Sequence, residues 1–172
     1  MTTDTSKEPL KIGFIGLGIM GTSMAEHLLA AKHALFVFVR SKIPASIASS
    51  NATQCADASA VAEQADIIFT MVPDTQDVEA VLFGQAGVAA GLKKSAGKAR
   101  KVVIDLSSIS PIATKTFAQK INALGCDYLD APVSGGEVGA KTATLSFMVG
   151  GEEHVFERIK PLFDLMGKTS RW

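Results

Sequence analysis

Apolar residues in this chain fall into short solid runs separated by stretches with helical spacing. Residues 12–15 form a brief β-branched and aromatic run that meets Gly16, after which Met20, Met24, Ala25 and Leu28 recur at the interval of a helix face. Strand, glycine turn and helix are predicted in that order. Residues 35–39 are a continuous apolar pentad bounded by polar positions, too short for a buried helix, and read as a strand covered on both faces. One βαβ unit is then complete.

The same alternation continues more faintly. Helices are predicted over 44–50 and 59–65 around a short strand near 53–56, and a stronger strand over 66–72. Asp74 or Thr75 can cap a helix running through Leu82, because a short oxygen side chain accepts from the orphaned first-turn amides. A strand over 101–106 leads to Ser110-Pro111, an N-cap followed by a proline at the first helical position, and Gly125 closes that helix. Strands over 128–131 and 145–149 and an amphipathic helix over 152–166 complete the series, with Pro161 expected to kink or split the last helix. Strands alternating with helices at this spacing predict an α/β fold of the Rossmann type, a single-domain, doubly wound, mostly parallel sheet with right-handed crossovers. The expected organisation is a polar tail over 1–10, the folded domain over 11–167 and a short tail over 168–172.

Length and composition narrow the partners. A chain of 172 residues, 18.0 kDa, can bury a core without disulfide or metal staples. Seventeen basic residues balance seventeen acidic ones, which disfavours a nucleic-acid partner. Cys55 and Cys126 show no metal-ligand spacing and are expected as small core residues, so no metal is expected. The polar N-terminus and the glycine-broken apolar run after it match neither a signal peptide nor a membrane span, and the expected compartment is the cytoplasm. Lys93, Lys94, Lys98, Arg100 and Lys101, with Gly97 among them, are expected as a solvated basic loop. His27, His33 and His154 lie at no Ser or Cys motif that would make a hydrolase triad.

The most specific chemistry lies at residues 16–21. Gly16, Leu17, Gly18, Ile19, Met20 and Gly21 spell G-x-G-x-x-G between a predicted strand and a predicted helix. The first glycine permits the turn, the second lets a pyrophosphate reach the backbone, and the third lets helix and strand pack closely. Free amides and a partial positive charge at the helix start then face the phosphates. At the end of the second strand, where NAD-selecting sites place a carboxylate, the chain offers Arg40-Ser41. A guanidinium suits the 2′-phosphate, so NADP is the preferred cofactor, with NAD left open. Three further turns end predicted strands on the ligand-facing edge: Val72-Pro73-Asp74-Thr75, Asp105-Leu106-Ser107-Ser108-Ile109-Ser110-Pro111, and Asp130-Ala131-Pro132-Val133-Ser134-Gly135-Gly136. Alone, the first two are helix caps and the third is either a glycine turn or a carboxylate-holding set of amides.

Taken together with Gly13-Phe14-Ile15 before the glycine motif and Phe147-Met148-Val149-Gly150-Gly151, these stretches resemble the N-terminal part of the β-hydroxyacid dehydrogenases, from Lys11 to about Gly167. That group holds 3-hydroxyisobutyrate dehydrogenase, tartronate semialdehyde (2-hydroxy-3-oxopropionate) reductase and 6-phosphogluconate dehydrogenase. The resemblance implies NAD(P)-dependent oxidation of a small β-hydroxyacid, or reduction of its semialdehyde. By position, residues Gly16 to Gly21 would bind the pyrophosphate, Arg40 and Ser41 the 2′-phosphate region, and Val72, Pro73 and Asp77 the ribose and nicotinamide side. Ser108 would lie close to the nicotinamide, and Ser134, Gly135 and Gly136 would contact the substrate carboxylate. Arg40-Ser41 together with Ser107-Ser108-Ile109-Ser110-Pro111 looks closest to the tartronate semialdehyde branch. By the resemblance, the family's proton-transferring lysine is expected on a helix beyond the last residue here, Lys168 does not match it, and the helical second domain is not expected within these residues. No catalytic residue is therefore assigned within this chain, which is expected to bind cofactor with little turnover of its own. The alternative is a non-catalytic dinucleotide-binding module used for assembly. Self-association is a further expectation, should an apolar face meant for a second domain be exposed.

Overall fold

The computed structural model describes residues 8–172. The first seven residues of the expected N-terminal tail lie outside that range. The βαβ unit forms as its pattern dictates: β1 (Lys11–Ile15), α1 (Ile19–Ala30) and β2 (Ala34–Phe38). Then follow α2 (Ala45–Ala48), β3 (Thr53–Gln54), α3 (Ala58–Gln64), β4 (Ile67–Thr70), α4 (Thr75–Phe83) and α5 (Val88–Lys94). The remaining elements are β5 (Val102–Asp105), α6 (Pro111–Ala123), β6 (Asp127–Asp130), β7 (Val133–Ser134), α7 (Gly136–Thr142), β8 (Leu145–Met148), α8 (Glu153–Met166) and β9 (Gly167–Arg171).

Six strands make one all-parallel sheet in the order β3-β2-β1-β4-β5-β6, the doubly wound order expected, with the direction of winding reversing between β1 and β4. Strand alternation divides the core into two layers. Ile12, Phe14, Phe69, Val102, Ile104 and Leu129 face one side, with α1 and α8. Ile15, Ile68, Val103 and Tyr128 face the other, with α3 to α6. Every residue of β4 and β5 is buried, which is why both read as solid apolar runs rather than alternating ones.

Caps fall where the sequence placed them. The Asp74 side chain accepts from Asp77 N at 3.0 Å, and that of Ser110 from Ala113 N at 3.4 Å ahead of Pro111. Gly125, at φ +79°, follows the last turn of α6. Four expectations are corrected. The helix α8 runs unbroken through Pro161; Pro161 and Glu157, whose carbonyl the missing N–H would have met, both lie on the exposed side, where that carbonyl is open to solvent. Residues 168–172 do not trail as a tail: β9 pairs in parallel with β8, and Trp172 Nε1 donates to the Gly151 carbonyl at 2.7 Å. With β7 they form a separate three-stranded sheet. The basic stretch is not simply a solvated loop. Lys93 and Lys94 end helix α5, and Lys101 is buried, donating to the carbonyls of Ala62 and Glu63 at 2.6 and 3.1 Å. Arg100 pairs with Asp127 at 2.8 Å and Lys94 with Glu63 at 3.2 Å. Finally, Cys126 is buried as expected, but Cys55 is only half-buried at the sheet edge beside β3.

Candidate functional site

A groove of about 510 Å³ opens at the carboxyl ends of β1, β2 and β4, spanning the β1–β4 reversal where doubly wound sheets take ligands. Its floor is the turn from β1 into α1. The three glycines of that turn do three different jobs. Gly16 has φ +97°, and a Cβ there would sit 2.0 Å from the Met71 carbonyl oxygen, so only glycine can make the turn while β4 passes so close. A Cβ on Gly21 would sit 2.3 Å from the Gly16 carbonyl oxygen, so this glycine lets α1 lie against its own strand. Gly18 is different: a Cβ there would meet no protein atom within 4 Å. No packing explains its missing side chain, and the open space above it lies on the groove. A phosphate can approach the backbone there.

Helix α1 begins at that point. Its N-cap is Gly18, no side chain caps it, and its first turn carries no acidic residue. The partial positive end of a twelve-residue helix thus faces the groove without a built-in anion. The residues present fit a diphosphate in both shape and electrostatics.

One wall comes from β2 and the turn after it, with Phe38, Val39, Arg40 and Ser41; the other comes from the turn after β4, with Met71, Val72 and Pro73. The apolar walls are suited to flat rings. Val72 is held in place by its N–H, which donates to Ser107 Oγ at 3.0 Å. Ser107 N in turn donates to Asp105 Oδ1 at 3.1 Å, and Thr70 Oγ1 donates to the same oxygen at 3.0 Å. Thus one fully buried carboxylate ties the turn after β5 to the turn after β4. Burial pushes the Asp105 carboxyl upward, against the opposing pull of its bonds from Ser107 and Thr70. Asp105 Oδ2 and the neighbouring Tyr128 hydroxyl are buried and unpaired among the described residues. Asp130 lies beside Asp105 in the sheet register, and burial, then the Asp105 charge, pushes its carboxyl up to about 6. Burial also raises the Tyr128 hydroxyl.

The structure brings together Gly16, Leu17, Gly18, Ile19, Met20, Gly21, Arg40, Ser41, Val72 and Pro73 around the groove. Asp77 does not line it but joins its rim through Arg40, whose Nη2 donates to Asp77 Oδ1 at 2.9 Å. Ser108 is exposed at the end of β5 and does not reach the groove walls. Ser134, Gly135 and Gly136 are likewise exposed and stand apart from the groove, at the junction of β7 and α7. Gly135 and Gly136 both have positive φ, 134° and 60°. Sequence reasoning missed Ser107 as the link between two turns and missed the Arg40–Asp77 pair. The first hides in a Ser-Ser repeat, and the second joins residues 37 positions apart.

Among the described residues, no cluster of three or more His, Cys, Asp or Glu could hold a metal, and no helix is long and apolar enough to cross a membrane. Of the histidines, His27 bonds the Ala140 carbonyl at 2.8 Å and His33 Nδ1 accepts from Leu10 N at 3.0 Å.

Residues 11–172 match the family model of the NAD-binding domain of 6-phosphogluconate dehydrogenase. The chain is 55% identical over 160 residues to 2-hydroxy-3-oxopropionate reductase of Escherichia coli K12, covering 93% of this chain and 53% of that protein. It is similar in structure to the complex of Psf3 with NADP+ and 2-OPP, with a TM-score of 0.84 and 30% identity, covering 92% of this chain and 55% of the other. It is also similar to Mycobacterium tuberculosis 3-hydroxyisobutyrate dehydrogenase with L-serine, with a TM-score of 0.82 and 31% identity, covering 95% and 54%. The chain thus spans about half the length of the relatives it matches.

Proposed function

The chain belongs to the family of NAD-binding domains of the 6-phosphogluconate dehydrogenase type, and from that premise we propose that it is the cofactor-binding part of an NADP-preferring β-hydroxyacid dehydrogenase or reductase. The observation that carries this reading is Gly18, where an added Cβ would meet nothing within 4 Å, facing the groove at the uncapped start of α1. When bound, the nicotinamide would supply hydride exchange with the carbon that bears the substrate hydroxyl.

The chain's own residues bind and orient. Backbone amides of residues 18–21 hold the pyrophosphate. Arg40 and Ser41 receive the 2′-phosphate, in keeping with NADP in one structural relative. Val72 and Pro73 flank the nicotinamide ribose, held by the Val72–Ser107–Asp105 chain of bonds. Ser108 lies toward the nicotinamide, and Ser134, Gly135 and Gly136 offer amides to a substrate carboxylate from outside the groove. The substrate class favoured is a tartronate semialdehyde-like acid, on the strength of the E. coli relative's name and of the resemblance of Arg40-Ser41 and Ser107-Ser108-Ile109-Ser110-Pro111 to that branch. Both cysteines are free thiols, in keeping with a reducing compartment such as the cytoplasm.

None of these residue types, glycine, valine, proline, serine and arginine, is a ready proton shuttle at the hydroxyl carbon, a contribution of about 10²- to 10⁴-fold. We therefore expect NADPH at a hundredfold excess over its Kd to stabilise the chain by about 2.7 kcal/mol, raising Tm by roughly 5–10 °C. We expect no turnover of tartronate semialdehyde or 3-hydroxyisobutyrate by the same sample. A flat melting curve overturns the cofactor assignment, whereas full-strength turnover overturns the expectation of an inactive domain.

A further inference from the structure

The carboxylate that selects NAD at the end of a second strand is missing here, since residues 38–41 read Phe38-Val39-Arg40-Ser41. The fold nevertheless brings a carboxylate to the same rim from another element. Asp77 lies in the first turn of α4, and its Oδ1 accepts from Arg40 Nη2 at 2.9 Å. The two partners are not equally free. Asp77 is fixed on a helix whose N-terminal end favours its charge, its own N–H donates to the Asp74 cap, and its side chain is 21% exposed. Arg40 extends from a turn with its side chain 67% exposed. The acid is therefore the anchor and the guanidinium the tethered group.

We propose that Asp77 is a specificity-determining residue: by holding Arg40 through one nitrogen and offsetting its charge, it weakens the preference for a 2′-phosphorylated dinucleotide over its unphosphorylated counterpart. This rests on the reading of the groove as a dinucleotide site with Arg40 at its 2′-phosphate end. An exposed ion pair contributes little to stability, so the pair's weight falls on what approaches it. A phosphate dianion meeting the free edge of the Arg40 fork enters the field of the Asp77 carboxylate behind it, and like charges a few ångströms further apart than an ion pair repel measurably even near water. A dinucleotide with a bare ribose hydroxyl carries no charge at that point and is indifferent to Asp77. Discrimination by Arg40 is thus set by the pair and not by the arginine alone.

The test is calorimetric titration of the whole chain with NADPH and with NADH, for the wild type, Asp77→Asn and Asp77→Glu, at low and at physiological salt. Asp77→Asn keeps the shape and removes the charge, and is expected to tighten NADPH roughly fivefold while leaving NADH within about twofold. The gain shrinks as salt rises, because the repulsion is screened. Asp77→Glu keeps the wild-type ratio of the two affinities. A merely structural role for Asp77 would move both nucleotides alike. An Asp77→Asn ratio equal to or below that of the wild type, or equal tightening of both nucleotides, overturns the proposal and leaves the dinucleotide site standing. Failure of the wild type to bind either nucleotide overturns both.

Discussion

At the residue scale, the site is built from atoms that are missing as much as from those present. Gly16 and Gly21 lack side chains because backbone oxygens occupy that space, whereas Gly18 lacks one over an open groove. The motif predicts three separate roles, and packing accounts for Gly16 and Gly21 while leaving the space at Gly18 open. Titration adds a second residue-scale consequence. Asp130 is held at about 6 by burial and by the Asp105 charge, against about 3.9 in an unfolded chain. Between those values the folded chain holds more protons than the unfolded one. Stability therefore falls as pH rises from about 4 to about 6 and stays lower above. Asp130→Asn, which mimics the protonated acid, is expected to exceed the wild type at pH 7 by about 1 kcal/mol after allowance for solvent screening, and to match it below pH 4. Urea unfolding across that range checks the sign: a variant less stable than wild type at pH 7 contradicts it.

At the element scale, strands and capped helices were legible, because solid runs such as Ile67–Thr70 and the Ser110-Pro111 cap are local signals. The elements that escaped were short or poor in apolar contrast. Helix α5 ends in Lys93 and Lys94 and abuts the charged stretch, and helix α7 begins at Gly136 and holds a second glycine. Strand β9 reads Gly-Lys-Thr-Ser-Arg and exists only because β8 is there to pair with it. Lys101 is the sharpest example of charge misread from pattern. Its Nζ closes the last turn of α3 by donating to two carbonyls, and burial lowers its pKa without a carboxylate bonded to it. Lys101→Met keeps most of the volume and deletes both bonds. It is expected to cost about 1–3 kcal/mol, measured as a lower urea midpoint at unchanged m-value. Wild-type stability for that variant would return Lys101 to the solvated charges.

At the scale of the whole molecule, the sheet order places the reversal of winding between β1 and β4, and that is where the glycine turn and the Val72–Pro73 turn meet. The groove was legible because its floor is contiguous in sequence. The Arg40–Asp77 pair at its rim was not, because the two residues come from elements on either side of that reversal. The Ser134–Gly136 turn was legible as a glycine turn, yet it stands outside the groove, with the separate sheet of β7, β8 and β9. The chain spans about half the length of its relatives, and nucleotide binding in the groove is the proposed property that a titration reads directly. Gly18 allows the most direct question. Gly18→Val places its Cβ where nothing lies within 4 Å, so the fold should survive, with circular dichroism and melting close to wild type. Titrated with NADPH in a calorimeter, the wild type should give saturable heat for one site, and the variant should lose at least about tenfold in affinity, the equivalent of 1.4 kcal/mol. Equal binding by both proteins, or no heat from the wild type, would contradict a diphosphate seated at the start of α1.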